Sequence, residues 1–241
     1  MKIPISLIIY ALKKKKVNQL KLYLYLKANS SGHLRLDEVL RAKACADMGW
    51  KDKRTYTSKI EWLLKHHWVT LNNNTHSLRL VSLEQVHRQI NGCVYTGTRM
   101  DSTDLTQFRP FIYASVITWA TSAKRKSLYM SERKKGHSRK SIKYLLHSDL
   151  PNRYLSKILE LDQSCITRYK HEAEAAGYIR IKHRIQELDL DISHLPTIQK
   201  YADTDIVNSI FMMNDKLYTR KSDIISPRIK LCYLKRLRSS P

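Results

Sequence analysis

Leu155-Ser156-Lys157-Ile158-Leu159-Glu160-Leu161, then Asp162-Gln163-Ser164, then Cys165-Ile166-Thr167-Arg168-Tyr169-Lys170-His171-Glu172-Ala173-Glu174-Ala175-Ala176-Gly177-Tyr178-Ile179, is the stretch on which the fold turns. Arg153 to Leu161 is expected to form a helix, and Asp162-Gln163-Ser164 a turn in which Ser164 caps the next helix, Cys165 to Ala176. Gly177 supplies the stop, because helix ends commonly need a left-handed residue that glycine adopts without strain. Tyr178 to Ile181 and Ile185 to Leu190 then predict a short hairpin around Lys182-His183-Arg184.

Outward from this stretch the same order recurs. Phe111 to Ala123 reads as an apolar helix, and the very basic stretch Lys124 to Lys143 follows it. Nearer the N-terminus, Val17 to Ala28 predicts a helix that Asn29-Ser30-Ser31-Gly32 stops. Leu36-Asp37-Glu38 offers a cap with an acidic first turn for a helix running through Val39, Leu40, Ala44 and Met48 to Gly49. A third helix carries Tyr56, Ile60, Leu63 and Leu64 at helical spacing. Trp68 to Leu71 and Leu78 to Val81 alternate as two strands around the polar turn-formers Asn72 to Ser77. Ile3 to Leu12 is expected to be a buried strand or the start of a helix. The pattern predicts a mainly α protein with small β-hairpin wings, divided as 1–85, a linker 86–108, 109–195 and a C-terminal extension 196–241. That extension mixes apolar and basic residues, and is expected to dock on the second unit or to form a homodimer contact.

Charge narrows the partners. Lys and Arg number 44 against 21 Asp and Glu in 241 residues, a formal charge of +23. Residues 1–85 carry +10, 86–108 none, 109–195 +8 and 196–241 +5. Such an excess repels itself unless a polyanion neutralises it, so nucleic acid leads. The four cysteines, Cys45, Cys93, Cys165 and Cys232, are far apart and form no CxxC pair, so neither a zinc site nor a disulfide framework is expected. Lys13 to Lys16 follow the apolar N-terminal run where a signal peptide would carry small residues. No membrane segment, no cofactor and a cytoplasmic location are the expectation.

The stretch from Leu155 to Ile179 resembles the winged helix-turn-helix pattern of bacterial repressors. Ile166 and Ala173 stand at the family's buried positions, Lys170 stands where Leu is usual, and Ile179 begins the wing. The first half is similar, with Tyr56, Ile60 and Leu63 in the buried places and His67 where Gly is usual. The resemblance implies two tandem winged helix-turn-helix domains, and tandem units of this length are also similar to plasmid replication initiators. In such proteins the N-terminal part of the third helix reads base edges in the major groove. That places Lys53, Arg54, Thr57 and Ser58 of the first half, and Gln163, Ser164, Thr167, Arg168 and His171 of the second, at double-stranded DNA. Arg suits guanine and Gln adenine, while Ser164 and Thr167 suit phosphates that fix register. At the wing tips stand Asn73, Asn74 and His76 in the first half and Lys182, His183 and Arg184 in the second, placed to touch the backbone or the adjacent minor groove. Lys134, Lys135, Arg139 and Lys140 of the basic stretch would lie along phosphates. Polar positions on one helix face are equally what a merely solvated face carries.

The expected role is therefore transcriptional regulation by sequence-specific DNA binding, with a plasmid or phage replication initiator as the alternative. An enzyme is not expected, and no residue is assigned to catalysis or to a metal. Asp189-x-Asp191 and Asp203-x-Asp205 could hold Mg²⁺ in a nuclease, but that spacing is unspecific. No Gly-rich phosphate loop exists, and among 14 Tyr a recombinase nucleophile has no distinguishing mark. The four Trp and the N-terminal Tyr residues could stack on single strands, though their apolar spacing points to core packing.

Overall fold

Strand Lys2–Pro4 (β1) leads directly into helix Ile5–Lys13 (α1), so the N-terminal apolar run is both strand and helix. The computed structural model describes residues 1–35, 37–72, 75, 77–136, 150–190, 193, 196–197, 200 and 210–234. The chain continues through Val17–Ala28 (α2), His33–Arg35 (β2), Glu38–Met48 (α3) and Lys53–Lys65 (α4) to Val69–Asn72 (β3) and Ser77–Leu80 (β4). Leu83–Gln89 (α5), Thr96–Arg99 (β5), Ser102–Thr106 (α6) and the long helix Phe108–Lys134 (α7) follow. Asn152–Leu159 (α8), Gln163–Ala175 (α9), Ile179–Glu187 (β6), Ile210–Met213 (β7), Lys216–Pro227 (β8) and Leu231–Tyr233 (β9) complete the described elements.

The strands form three antiparallel three-stranded sheets, ordered β1-β5-β9, β2-β4-β3 and β6-β8-β7. This corrects the expectation of a mainly α protein with small wings, because the fold is mixed α/β. The physical reason is long-range pairing. β6 does not turn back on itself at Lys182-His183-Arg184; it continues through them with a shift of register and pairs with β8, from Ile179 opposite Pro227 to Glu187 opposite Tyr218. Lys, His and Arg supply none of the positive backbone angles a tight turn needs. That turn comes instead at Asn214 and Asp215, with φ of 51° and 58°, between β7 and β8.

The stretch 86–108 is likewise folded rather than a linker. It holds most of α5, all of α6 and β5, the central strand of the first sheet. A Cβ at Gly97 would stand 2.9 Å from the Ile3 carbonyl oxygen, so the β1–β5 approach requires glycine there. The Tyr178 hydroxyl donates to Asp104 Oδ1 at 2.7 Å, and Lys13 Nζ donates to Glu160 Oε1 at 2.6 Å, tying the second half of the chain to the first.

Local capping follows the sequence where it was readable. Asp37 accepts from the Leu40 amide at the start of α3, and Tyr56, Ile60 and Leu63 are the buried face of α4. His67, standing where glycine is usual, takes φ 54°. In the second half α9 begins two residues earlier than expected, after Asp162 rather than Ser164. Gly177, at φ 77°, ends it, and the amides of Gly177 and Tyr178 bond back to the carbonyls of Glu174 and Ala173.

One contiguous cluster of buried side chains runs from Ile3 through Trp68 and Phe111 to Ile179 and Ile225. The first part of α7, from Phe111 to Thr118, is buried on all sides, as a helix apolar all round must be. Its hydroxyls do not go unmet: Ser115, Thr118 and Thr121 donate to the carbonyls of Phe111, Ala114 and Ile117. The same helix then leaves the core and continues into the basic stretch as far as Lys134. Among the described residues no helix is long and apolar enough to cross a membrane, and the four cysteines are unpaired.

Candidate nucleic-acid interface

The polar face of α9 and the β6–β8 ribbon stand as the two walls of one groove, a cavity of about 780 Å³. Gln163, Thr167 and His171 recur at i, i+4 and i+8, which keeps them on a single helix face. His183 and Arg184 from β6, with Arg220 and Lys221 from β8, form the opposite wall, and Asn152 and Arg153 at the start of α8 close one end. Five Lys and Arg side chains line this groove against a single carboxylate, Asp223.

Two polar ties hold the helix wall. Asn152 Nδ2 donates to Thr167 Oγ1 at 2.7 Å, and that hydroxyl donates to the Gln163 carbonyl at 3.0 Å. The floor is less ordinary. Lys170 is only 3% exposed, and its ammonium donates to the Leu150 carbonyl at 3.0 Å. Burial pushes its pKa below the usual lysine range, and the Asp223 carboxylate 3.9 Å away pulls it back up. The other oxygen of Asp223 lies 2.9 Å from His183 Nδ1. One carboxylate thus joins α9 to the ribbon.

A β-bulge sits at this junction. The pairing shifts between Lys182 and Arg184, leaving two residues of β8 opposite the single His183. Bulges bend a ribbon and re-aim its side chains. Beyond the bulge Arg184 is the direct cross-strand partner of Lys221, two cations placed side by side.

Of the residues expected at DNA in this half, Gln163, Thr167, His171, His183 and Arg184 are brought together in the groove. Ser164, Arg168 and Lys182 are exposed but do not line it. Arg168 lies 3.8 Å from Glu172, with its guanidinium over the Tyr169 ring. Tyr169 turns inward and stacks on Tyr113 at 3.6 Å, while Lys170 is buried beside it. No protein family, no curated protein and no solved structure matches this chain.

In the first half, Lys53, Arg54, Thr57 and Ser58 are all exposed on the first two turns of α4. Asp52 caps that helix through the Arg54 amide at 2.7 Å, and Lys53 Nζ lies 3.7 Å from Glu38. Thr57 Oγ1 donates to the Lys53 carbonyl at 3.3 Å. Lys134 ends α7 exposed, and Lys135 beyond it donates to Glu132 at 2.9 Å. Asn73, Asn74, His76, Arg139 and Lys140 lie outside the described residues.

Sequence reasoning had His183 at a wing tip and missed Asn152, Arg153, Lys170, Arg220, Lys221 and Asp223. The signal for the β8 residues was present, because Asn214-Asp215 between apolar runs is a hairpin turn former. It would have placed Lys216 to Pro227 in a strand and its cations on a ribbon. Among the described residues no three His, Cys, Asp or Glu side chains come together in a way that could hold a metal ion.

Proposed function

We propose that this chain binds double-stranded DNA in a sequence-specific manner and acts as a transcriptional regulator without covalent chemistry. The first turns of α9 enter the major groove, whose width of about 12 Å admits one helix. Gln163 and His171 meet base edges there, Thr167 helps fix the register, and the β6–β8 ribbon straddles the neighbouring phosphates. The observation that carries this reading is the groove itself, with a short-chain polar helix face on one side and Arg184, Arg220 and Lys221 on the other. Arg184 and Lys221 stand directly opposite each other on the two strands, and a phosphate backbone lying over them meets both cations. The exposed cations at the start of α4 and the end of α7 add to the footprint. Helix, turn, helix and then β-ribbon is also the order that the resemblance to winged helix-turn-helix proteins implies.

Competition tests this reading. Unlabelled duplex should displace a bound labelled duplex at concentrations at least tenfold below those needed for single strands of the same sequence. In the same reactions supercoiled plasmid with Mg²⁺ should stay intact. Equal displacement by single strands, or nicking of the plasmid, overturns the reading.

A further inference from the structure

A second cavity, of about 840 Å³, shares no residue with the groove and lies between α2, the end of α3 and the β5–α6 segment. Its volume falls within the range of small-molecule sites, roughly 300–1,000 Å³. The buried Met48 and Met100, with Leu105, give it apolar walls.

Three lysines, Lys21, Lys27 and Lys43, and two carboxylates, Asp47 and Asp101, line it, and they are unevenly committed. The Tyr25 hydroxyl donates to Asp47 at 2.6 Å, and Lys27 Nζ reaches the Val81 carbonyl at 3.4 Å. Lys21 and Lys43 make no ion pair among the described residues, although both line the cavity. Lys21 is half-buried, and burial alone pushes its pKa below the usual lysine range. A desolvated ammonium without a counter-ion is costly to keep, and an anion brought in from outside removes that cost.

We propose that this cavity binds a small amphipathic oxyanion, a carboxylate or phosphate on an apolar body, with Lys21 as the anion's partner. The apolar body lies against Met48, Met100 and Leu105. Lys43 adds positive field on the α3 side. Since α3 packs on α4, occupancy bears directly on the helix that presents Lys53, Arg54, Thr57 and Ser58.

The probe is sodium decanoate below its micelle concentration, titrated calorimetrically into the full chain. Decyltrimethylammonium is the control of the same length and opposite charge. Saturable one-site binding of decanoate is expected, with no saturable binding of the cation. Lys21→Met keeps the aliphatic stem and relieves a burial cost, so it should fold normally and weaken decanoate at least tenfold. Leu105→Trp fills the cavity and should abolish binding. Circular dichroism and thermal melting report independently that each variant is folded; if Leu105→Trp is not, Lys21→Met decides. Absence of saturable wild-type binding, equal binding of the cation, or undiminished binding by folded Lys21→Met overturns the proposal. None of those results touches the DNA reading, which rests on the other cavity.

Discussion

The substitution Ile166→Asp should lower the melting temperature by about 10 °C or more and, with it, abolish the DNA binding proposed above. Ile166 is 2% exposed on the inner face of α9, beside Ala173 and within the cluster that reaches Ile179 and Ile225. Truncating a buried Ile costs about 2–5 kcal/mol, and a carboxylate left there without a partner adds several more. In a domain of this size each kcal/mol moves the melting temperature by roughly 2–4 °C. Ile166→Val, which removes one methylene, should cost only about 1 kcal/mol and keep the interface. Calorimetry of the three proteins checks the series. An unchanged transition in Ile166→Asp would mean that α9 is rotated away from the register described, and Gln163, Thr167 and His171 would lose their shared face.

The second large effect has a sign that separates two explanations. Asp223 is the one carboxylate in a cationic groove, so simple Coulombic reasoning predicts that Asp223→Asn tightens DNA binding. We expect the opposite, a loss of about tenfold, near 1.4 kcal/mol. The carboxylate holds His183 on the ribbon at 2.9 Å and faces the buried Lys170 on α9 at 3.9 Å. Without it the bulge no longer has its anchor, and Arg184 and Lys221 lose their set position across from the helix. Asp223→Glu keeps the charge and should recover part of the affinity. Gel-shift titrations of the two variants give the answer, and hydrogen exchange in β6 reports whether the ribbon has loosened. Tighter binding by Asp223→Asn would reduce Asp223 to an unfavourable charge and remove the positioning argument.

Much of the first half was legible because its determinants are local. The run Val17–Ala28 stops at a polar cluster, Asp37 with Glu38 marks an N-terminus, and the alternating strands Val69–Asn72 and Ser77–Leu80 pair across a few polar residues. Those signals span a few residues each, which is the range over which periodicity and capping act. What escaped was every pairing made over distance. β1, β5 and β9 are three or four residues long and lie about a hundred residues apart, so none carries a pattern of its own. β6 looked like half of a local hairpin because Ile179, Ile181 and Ile185 are spaced as in a strand, yet its partner lies beyond residue 215. The misreading of 86–108 as a linker has a similar source, since its neutrality and two glycines suit a central strand in close packing equally well.

The interface shows the same division. Gln163, Thr167 and His171 follow from helix spacing alone, and Arg184 from its place after Ile179. Arg220, Lys221 and Asp223 entered only through the β6–β8 register. Lys170 was visible as a departure from the pattern, a lysine in a place usually filled by Leu. Its reason, the Leu150 carbonyl and the Asp223 carboxylate of β8, lies in residues distant from it along the chain.

In the proposed mode α9 and the ribbon grip one duplex through its major groove. Selection of bound duplexes from a random pool at one fixed salt concentration, followed by guanine-N7 methylation interference on the winners, tests it most directly. One recurring motif should emerge whose central guanines, once methylated in the major groove, block binding. A pool that emerges without a shared motif, or a motif indifferent to N7 methylation, would contradict it.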